Sequence, residues 1–291
     1  MGVNSVNQAA SIQSAIATAS RKTGIDFNYL MGQAQVESGF RANARAGTSS
    51  ATGLYQFIDQ SWLGVVKAHG EEHGLGWAAG SIKQNASGRY YVSDPGVRSA
   101  ILNLRNDPNV SALMAAEHAS DNKDALEGSL GRTATGGDLY MAHFLGLGGA
   151  RNFLSAMDKN PDRIAAGMFP AAARANRSVF YASNGQPRTL QQVYSRLSDK
   201  LDAGAAAVGA TGTASGAGAD QTDWTKTLGD FGFDDGDVIL GNGATNGDSQ
   251  WVNSTLANLK TLREPMNVMR PTPENAKLAY LMLASLGGSA S

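Results

Sequence analysis

The chain has no cysteine, which excludes disulfides, thiolate metal sites and a cysteine nucleophile and leaves the compartment undecided. Charge of either sign is scarce. Twenty-four Lys and Arg against 25 Asp and Glu in 291 residues leave a net charge of −1. Such a chain has no general attraction to nucleic acid or to anionic lipid, so neither is expected as a partner. No apolar run approaches the ~18 residues of a membrane span. Met1 to Ser20 is polar and rich in Ala, Ser and Gln, without the basic start and apolar core of a secretory signal. Strand signals are few as well: runs of alternating β-branched and aromatic residues hardly occur.

What the sequence does contain is 42% hydrophobic residues, enough for a real core, and 35 glycines, which suggest that part of the length is linker. Asn7 to Arg21 carries Ala10, Ile12, Ala15, Ile16 and Ala19 at helical spacing. Gly24 ends that helix. Asp26 is placed to cap a second, with Phe27, Leu30, Met31 and Ala34 as its apolar stripe and Gly39 as its stop. Residues 41–53 read as a small, polar loop, and apolar periodicity resumes from Leu54 to Lys67. Residues 70–95 read as irregular. Further helices are expected from Asp94-Pro95, from Pro108 through His118, over 138–157, after Pro161 and Pro170, and from Leu190 to Leu201. The expectation is an all-α domain of short helices over residues 1–203.

Gly204 to Ala219 is nearly all Gly, Ala, Ser and Thr, which predicts a flexible linker over 204–220. Residues 221–291 hold eight acids and five bases, net −3, with amphipathic segments at Trp251–Leu262 and Pro273–Leu286. They predict a small domain or a docking tail.

Two spaced segments carry the chemistry. Glu37-Ser38-Gly39-Phe40 is followed, after the polar loop, by Thr52-Gly53-Leu54-Tyr55-Gln56-Phe57-Ile58. Together they resemble the soluble lytic transglycosylase family, whose members carry Glu-Ser-x-Phe, a short loop and Gly-Leu-Met-Gln-Ile. Glu37, Ser38, Gly53, Leu54 and Gln56 match, Tyr55 stands in place of Met, and Ser61-Trp62 echoes the pair that follows in the family. The family's third element, Ala-Tyr-Asn-Ala-Gly, survives in outline as Ala142-His143-Phe144-Leu145-Gly146. His143 stands where the family has the Tyr that bonds near its catalytic Glu, and Tyr140, one turn earlier, could reach the same place. Asp107-Pro108-Asn109-Val110 is similar to a further family stretch but reads more readily as a helix start, with N-cap and core roles.

The resemblance covers roughly residues 12–160. It implies a goose-type lysozyme-like fold, a peptidoglycan substrate, and cleavage between MurNAc and GlcNAc with closure of a 1,6-anhydro ring. In that chemistry one carboxyl, Glu37, acts as acid and then base, and neither metal nor cofactor is required. Ser38 would orient Glu37 or the acetamido group. Leu54, Tyr55 and Gln56 would floor the cleft, and Tyr140, His143 and Phe144 would complete the substrate-binding side. An isolated Glu is ordinarily a solvated surface residue. Glu37 differs by lying in the last turn of its helix, where the macrodipole disfavours a negative charge, beside apolar Val36, Phe40 and Phe57. A water-using muramidase or chitinase on the same fold would need a second carboxylate, from Asp59, Asp94 or Asp107. A non-catalytic glycan-binding assembly protein is the rival from another class.

An extracytoplasmic, periplasmic place in a bacterium follows from the substrate. For 221–291 the expected role is docking to a cell-wall-spanning machine such as a flagellum, secretion system or phage tail. His69-Gly-Glu-Glu-His73 lacks the Glu directly after the first His that a zinc protease needs. The Gly- and Asp-rich stretch from Asp230 to Asp248 lacks the spacing of a calcium loop. Trp62 and Trp77 are candidates for sugar stacking, with a core role equally open for Trp62.

Overall fold

The computed structural model describes residues 3–47 and 49–216. The region 221–291, with the docking role and the Asp230–Asp248 loop assigned to it, lies outside the described residues.

Helix starts follow short polar side chains. Helix α1 runs Val3–Thr23, and Asp26 caps α2, Phe27–Ser38, by accepting the N–H of Tyr29 at 2.8 Å. Helix α3 is Asp59–His69, and the short α4 is Gly76–Ser81. A two-residue hairpin follows, β1 at Lys83–Gln84 and β2 at Tyr90–Tyr91, with Lys83 opposite Tyr91. Asp94 caps α5, Pro95–Asn103, and Asp107 caps α6, Pro108–Leu130, each with proline in the first turn. Thr135 and Asp138 form a reciprocal capping box at α7, Gly136–Lys159. Then come α8 (Ala165–Met168), α9 (Pro170–Ala175) and α10 (Arg177–Phe180). Thr189 and Gln192 make a second box at α11, Leu190–Ala207. Each such cap contributes about 1 kcal/mol.

The described domain is helical, as its periodicity predicts. Helix α1 lies along α6, and α11 lies against both α2 and α7. Ile12, Ile16, Leu30, Met31, Trp62, Met114, Phe144, Phe153 and Leu201 are almost wholly buried between them. Burial of a side chain of this size stabilises by ~1.5–3 kcal/mol. Trp62 is a core residue: it has no exposure and donates its indole N–H to Ile101 O at 2.7 Å. Trp77, by contrast, is 50% exposed.

Two readings need correction. The linker does not begin at Gly204. Residues 204–207 are the last turn of α11, and 208–216 fold back onto the domain. Ser215 bonds both oxygens of Asp202, at 2.7 and 2.6 Å, and its carbonyl accepts the N–H of Gly137. The small residues that suggest a linker instead permit close packing. A Cβ on Gly204 would lie 2.8 Å from Val36 and 3.0 Å from Gly32 O, and one on Gly32 would lie 2.6 Å from Leu201 O. Residues 70–95 are ordered too. A 3-10 turn at Glu71–His73, α4 and the hairpin fill them, and Gln60 pins the hairpin to α3 by bonding Tyr90 O and N at 2.9 and 3.0 Å. Hydrophobic periodicity cannot register elements this short.

Candidate active site

Helix α2 delivers Glu37 from its last turn. Gly39 adopts the left-handed conformation (φ 59°) that ends the helix, and its N–H reaches the carbonyls of Ala34 and Gln35. Helix α7 delivers the partners. It is non-helical at Gly146 (φ 74°, ψ 161°), so Tyr140 and His143 sit in the segment before the kink. Because α11 packs against both α2 and α7, the spacing between these two deliveries is fixed by a third helix.

The start of α7 is held independently. Asp138 is fully buried, pairs with Arg132 at 2.6 Å, and accepts from Thr135 N and Tyr194 OH. Its capping and its ion pair together leave no carboxylate oxygen without a donor.

Tyr140 donates to Glu37 Oε1 at 3.4 Å, and His143 Nε2 lies 3.3 Å from the same oxygen. Tyr140 and His143 stack, with ring centres 5.9 Å apart and an interplanar angle of 15°. Both alternatives for the family Tyr therefore converge on one atom. The Glu37 side chain has no exposure, His143 has 14%, and neither Glu37 Oε2 nor His143 Nε2 has a hydrogen-bond partner of acceptable geometry. A buried carboxyl oxygen without a hydrogen-bond partner costs stability, on the order of 1–3 kcal/mol. Burial, and then the charge of Glu37, push the Tyr140 hydroxyl far above the ordinary phenol range, so it stays a neutral donor.

Tyr29 and Gln33 complete a polar stripe with Glu37 at intervals of four along α2. The Tyr29 hydroxyl is also pushed up, by burial first and by Glu37 second, and Gln33 Oε1 is buried without a partner. Sequence reasoning passed over Tyr29. The interval of four was the available signal. His118 is the other omission. Burial first, then His143, lower its pKa to about 4 against the pull of Asp121, and its ring lies 6.0 Å from Phe57.

The remaining expected residues are placed differently. Ser38 Oγ donates to Ala34 O at 2.9 Å and accepts the N–H of Arg41 at 3.1 Å, so it secures the helix end rather than orienting Glu37. Leu54 and Tyr55 are buried side chains, and Tyr55 OH donates to Leu30 O at 3.1 Å. They support α2 from beneath and do not floor a cleft. Phe144 is buried against Phe180, on the side of α7 turned into the core. Gln56 ties the loop together, donating to Ala44 O and Gly53 O at 3.1 and 2.8 Å.

The other candidate carboxylates and histidines are engaged. Asp59 pairs with Arg98 at 2.6 Å and Arg105 at 3.0 Å, while Asp94 and Asp107 cap helices. His69 pairs with Asp121 at 2.9 Å and His73 with Glu117 at 2.6 Å, which joins the end of α3 and the turn after it to α6. Among the described residues no group of three or more His, Asp or Glu is arranged to hold a metal ion, and no helix is long and apolar enough to cross a membrane. No known family's sequence profile matches the chain.

Proposed function

We propose that this protein is a peptidoglycan lytic transglycosylase on a goose-type lysozyme-like scaffold, with Glu37 as its single catalytic carboxyl. The observation that carries this reading is a buried carboxyl that accepts from Tyr140 at one oxygen, with His143 Nε2 3.3 Å from that same oxygen and the other oxygen unpartnered. The three aspartates that could have supplied a second carboxylate are committed to ion pairs or helix caps. That favours a mechanism with one carboxyl over hydrolysis with two.

In the proposed reaction, Glu37 delivers its proton from Oε2 to the glycosidic oxygen as the C1–O bond breaks. The N-acetyl carbonyl of the same sugar attacks C1 and holds the positive charge. The Glu37 carboxylate then takes the C6 hydroxyl proton. The C6 oxygen displaces the carbonyl, which closes the anhydro ring and restores Glu37 to its starting form. Tyr140 remains a neutral donor to Oε1 throughout, and its bond strengthens while Glu37 carries charge. Because the side chain is shut from water, substrate entry requires rotation of Glu37 or displacement of His143, whose side chain is only slightly exposed. The activity places the protein at the cell wall, outside the cytoplasm. A docking role for 221–291 belongs to the same proposal.

The test is incubation with purified sacculi and mass spectrometry of the released fragments. Anhydro ends, lighter by one water than the hydrolysed equivalents, are expected. Reducing ends alone would point to a muramidase. Glu37→Gln should lose at least ~10³-fold in rate, about 4 kcal/mol, while still binding glycan. Full turnover by that variant would refute the assignment.

A further inference from the structure

The loop that follows α2 has a second face. Arg45 pairs with Thr52 across it as an isolated antiparallel bridge, and Thr52 pairs with Phe57. At Gly53 (φ 87°) the loop presses onto the 3-10 turn Leu104–Asn106, where a Cβ would lie 2.0 Å from Arg105 O. Beyond that contact lies an open cavity of about 250 Å³, lined by Arg45, Arg98 and Arg105 with Thr52, Ser99 and Asn103.

Three guanidinium groups therefore face one space, with Asp59 as the carboxylate between two of them. Arg105 is nearly buried. Its Nη1 serves Ser50 O, Phe57 O and Asp59, its Nε serves Leu102 O, and Nη2 takes part in none of these bonds. Arg98, which lines the cavity, gives only Nη2 to Asp59, at 2.6 Å, so Nε and Nη1 take no part in that pair. Arg45 is exposed and has no ion-pair partner among the described residues. The nearby carboxylates of Asp94 and Asp107 accept helix N–H groups. Burial lowers the pKa of Arg105, and Arg45 and Arg98 lower it further while Asp59 opposes them, as expected of guanidinium groups crowded around one cavity.

We propose that this cavity binds a carboxylate of the acidic peptide attached to the glycan substrate, with Arg45 and Arg98 as its bidentate partners. Guanidinium forks match carboxylates in two parallel bonds, which fixes orientation as well as charge. The pocket shares a loop with the end of α2. The assignment rests on the glycan reading of Glu37 and adds a peptide preference to it.

The test uses the full chain carrying Glu37→Gln, so that binding is read without turnover. Three probes are titrated by calorimetry at low salt: a bare glycan fragment, the same fragment bearing its acidic peptides, and the free peptide. The peptide-bearing fragment is expected to bind at least tenfold tighter than the bare one. Adding Arg45→Glu should abolish that preference at an unchanged melting temperature, since Arg45 holds no native ion pair. Equal affinity for the two fragments, or a preference that survives Arg45→Glu, overturns the pocket alone. Binding of the free peptide through Arg45 without any binding of bare glycan keeps the pocket and overturns the glycan reading. No binding of any probe overturns both.

Discussion

Replacing Tyr140 with Phe removes a single oxygen from a site with no solvent exposure, and leaves the ring stacked on His143. The bond lost is 3.4 Å long, near the outer limit for a hydroxyl donor, and runs to a carboxyl that still holds its proton, so its resting contribution is at the low end for neutral hydrogen bonds. The phenol also no longer has to be desolvated on folding. These effects oppose each other, and the net stability change should stay within ~1 kcal/mol, a melting shift of roughly 2–4 °C for a domain of this size. Turnover is different. Once Glu37 has given up its proton, Oε1 carries charge, and the Tyr140 bond is then worth ~1.5–3 kcal/mol. Losing it should slow turnover roughly 10- to 150-fold. Release of anhydro fragments from sacculi, followed over time beside thermal melts of both proteins, separates the two effects. A variant that stays folded and keeps full rate would refute the argument that Tyr140 supports Glu37. A melting loss above ~10 °C would show instead that the hydroxyl is structural.

Two further outcomes follow from the packing. Gly53→Ala puts a methyl 2.0 Å from Arg105 O at a φ of 87°, so a loss of ~3 kcal/mol or more is expected, read as a lowered urea midpoint. His118 has its folded pKa lowered from 6.5 to about 4, so between those values the unfolded chain binds more protons. Its contribution is intact above pH 6.5 and is lost as pH falls through 4, on the order of 3 kcal/mol. Urea titrations from pH 7 to 4 should therefore show a shallower fall in His118→Gln than in the native chain; parallel slopes would count against a buried neutral imidazole.

The features legible in the sequence were those set locally. Asp26, Asp94 and Asp107 cap helices because a carboxylate before an apolar run has few other local uses, and Gly39 stops α2 because it reaches a positive φ at low cost. Glu37 and its two partner positions were legible from motif spacing. Facing was not. Leu54 and Tyr55 sit in the matching segment, yet their side chains point under the helix, and a spacing rule does not say on which side of a loop a residue lies. The last turn of α11 was read as linker because small residues look alike whether they are solvated or packed against Gly32 and Val36. The pKa shifts of Tyr29 and His118 come first from burial, which arises only once the helices meet.

The returning segment 208–216 also decides how force enters the domain. Its ties run to Asn28 at the start of α2, to Gly137 at the start of α7 and to Asp202 in α11. A pull on the chain past residue 216 is thus carried first by the Ser215–Asp202 clasp and the Gly137 bond, not by the end of α11. The load is shared across the three helices that set the Glu37 geometry before any of them can peel away. Cutting the chain at 203, where its composition changes, would discard that anchorage; cutting after 216 would preserve it.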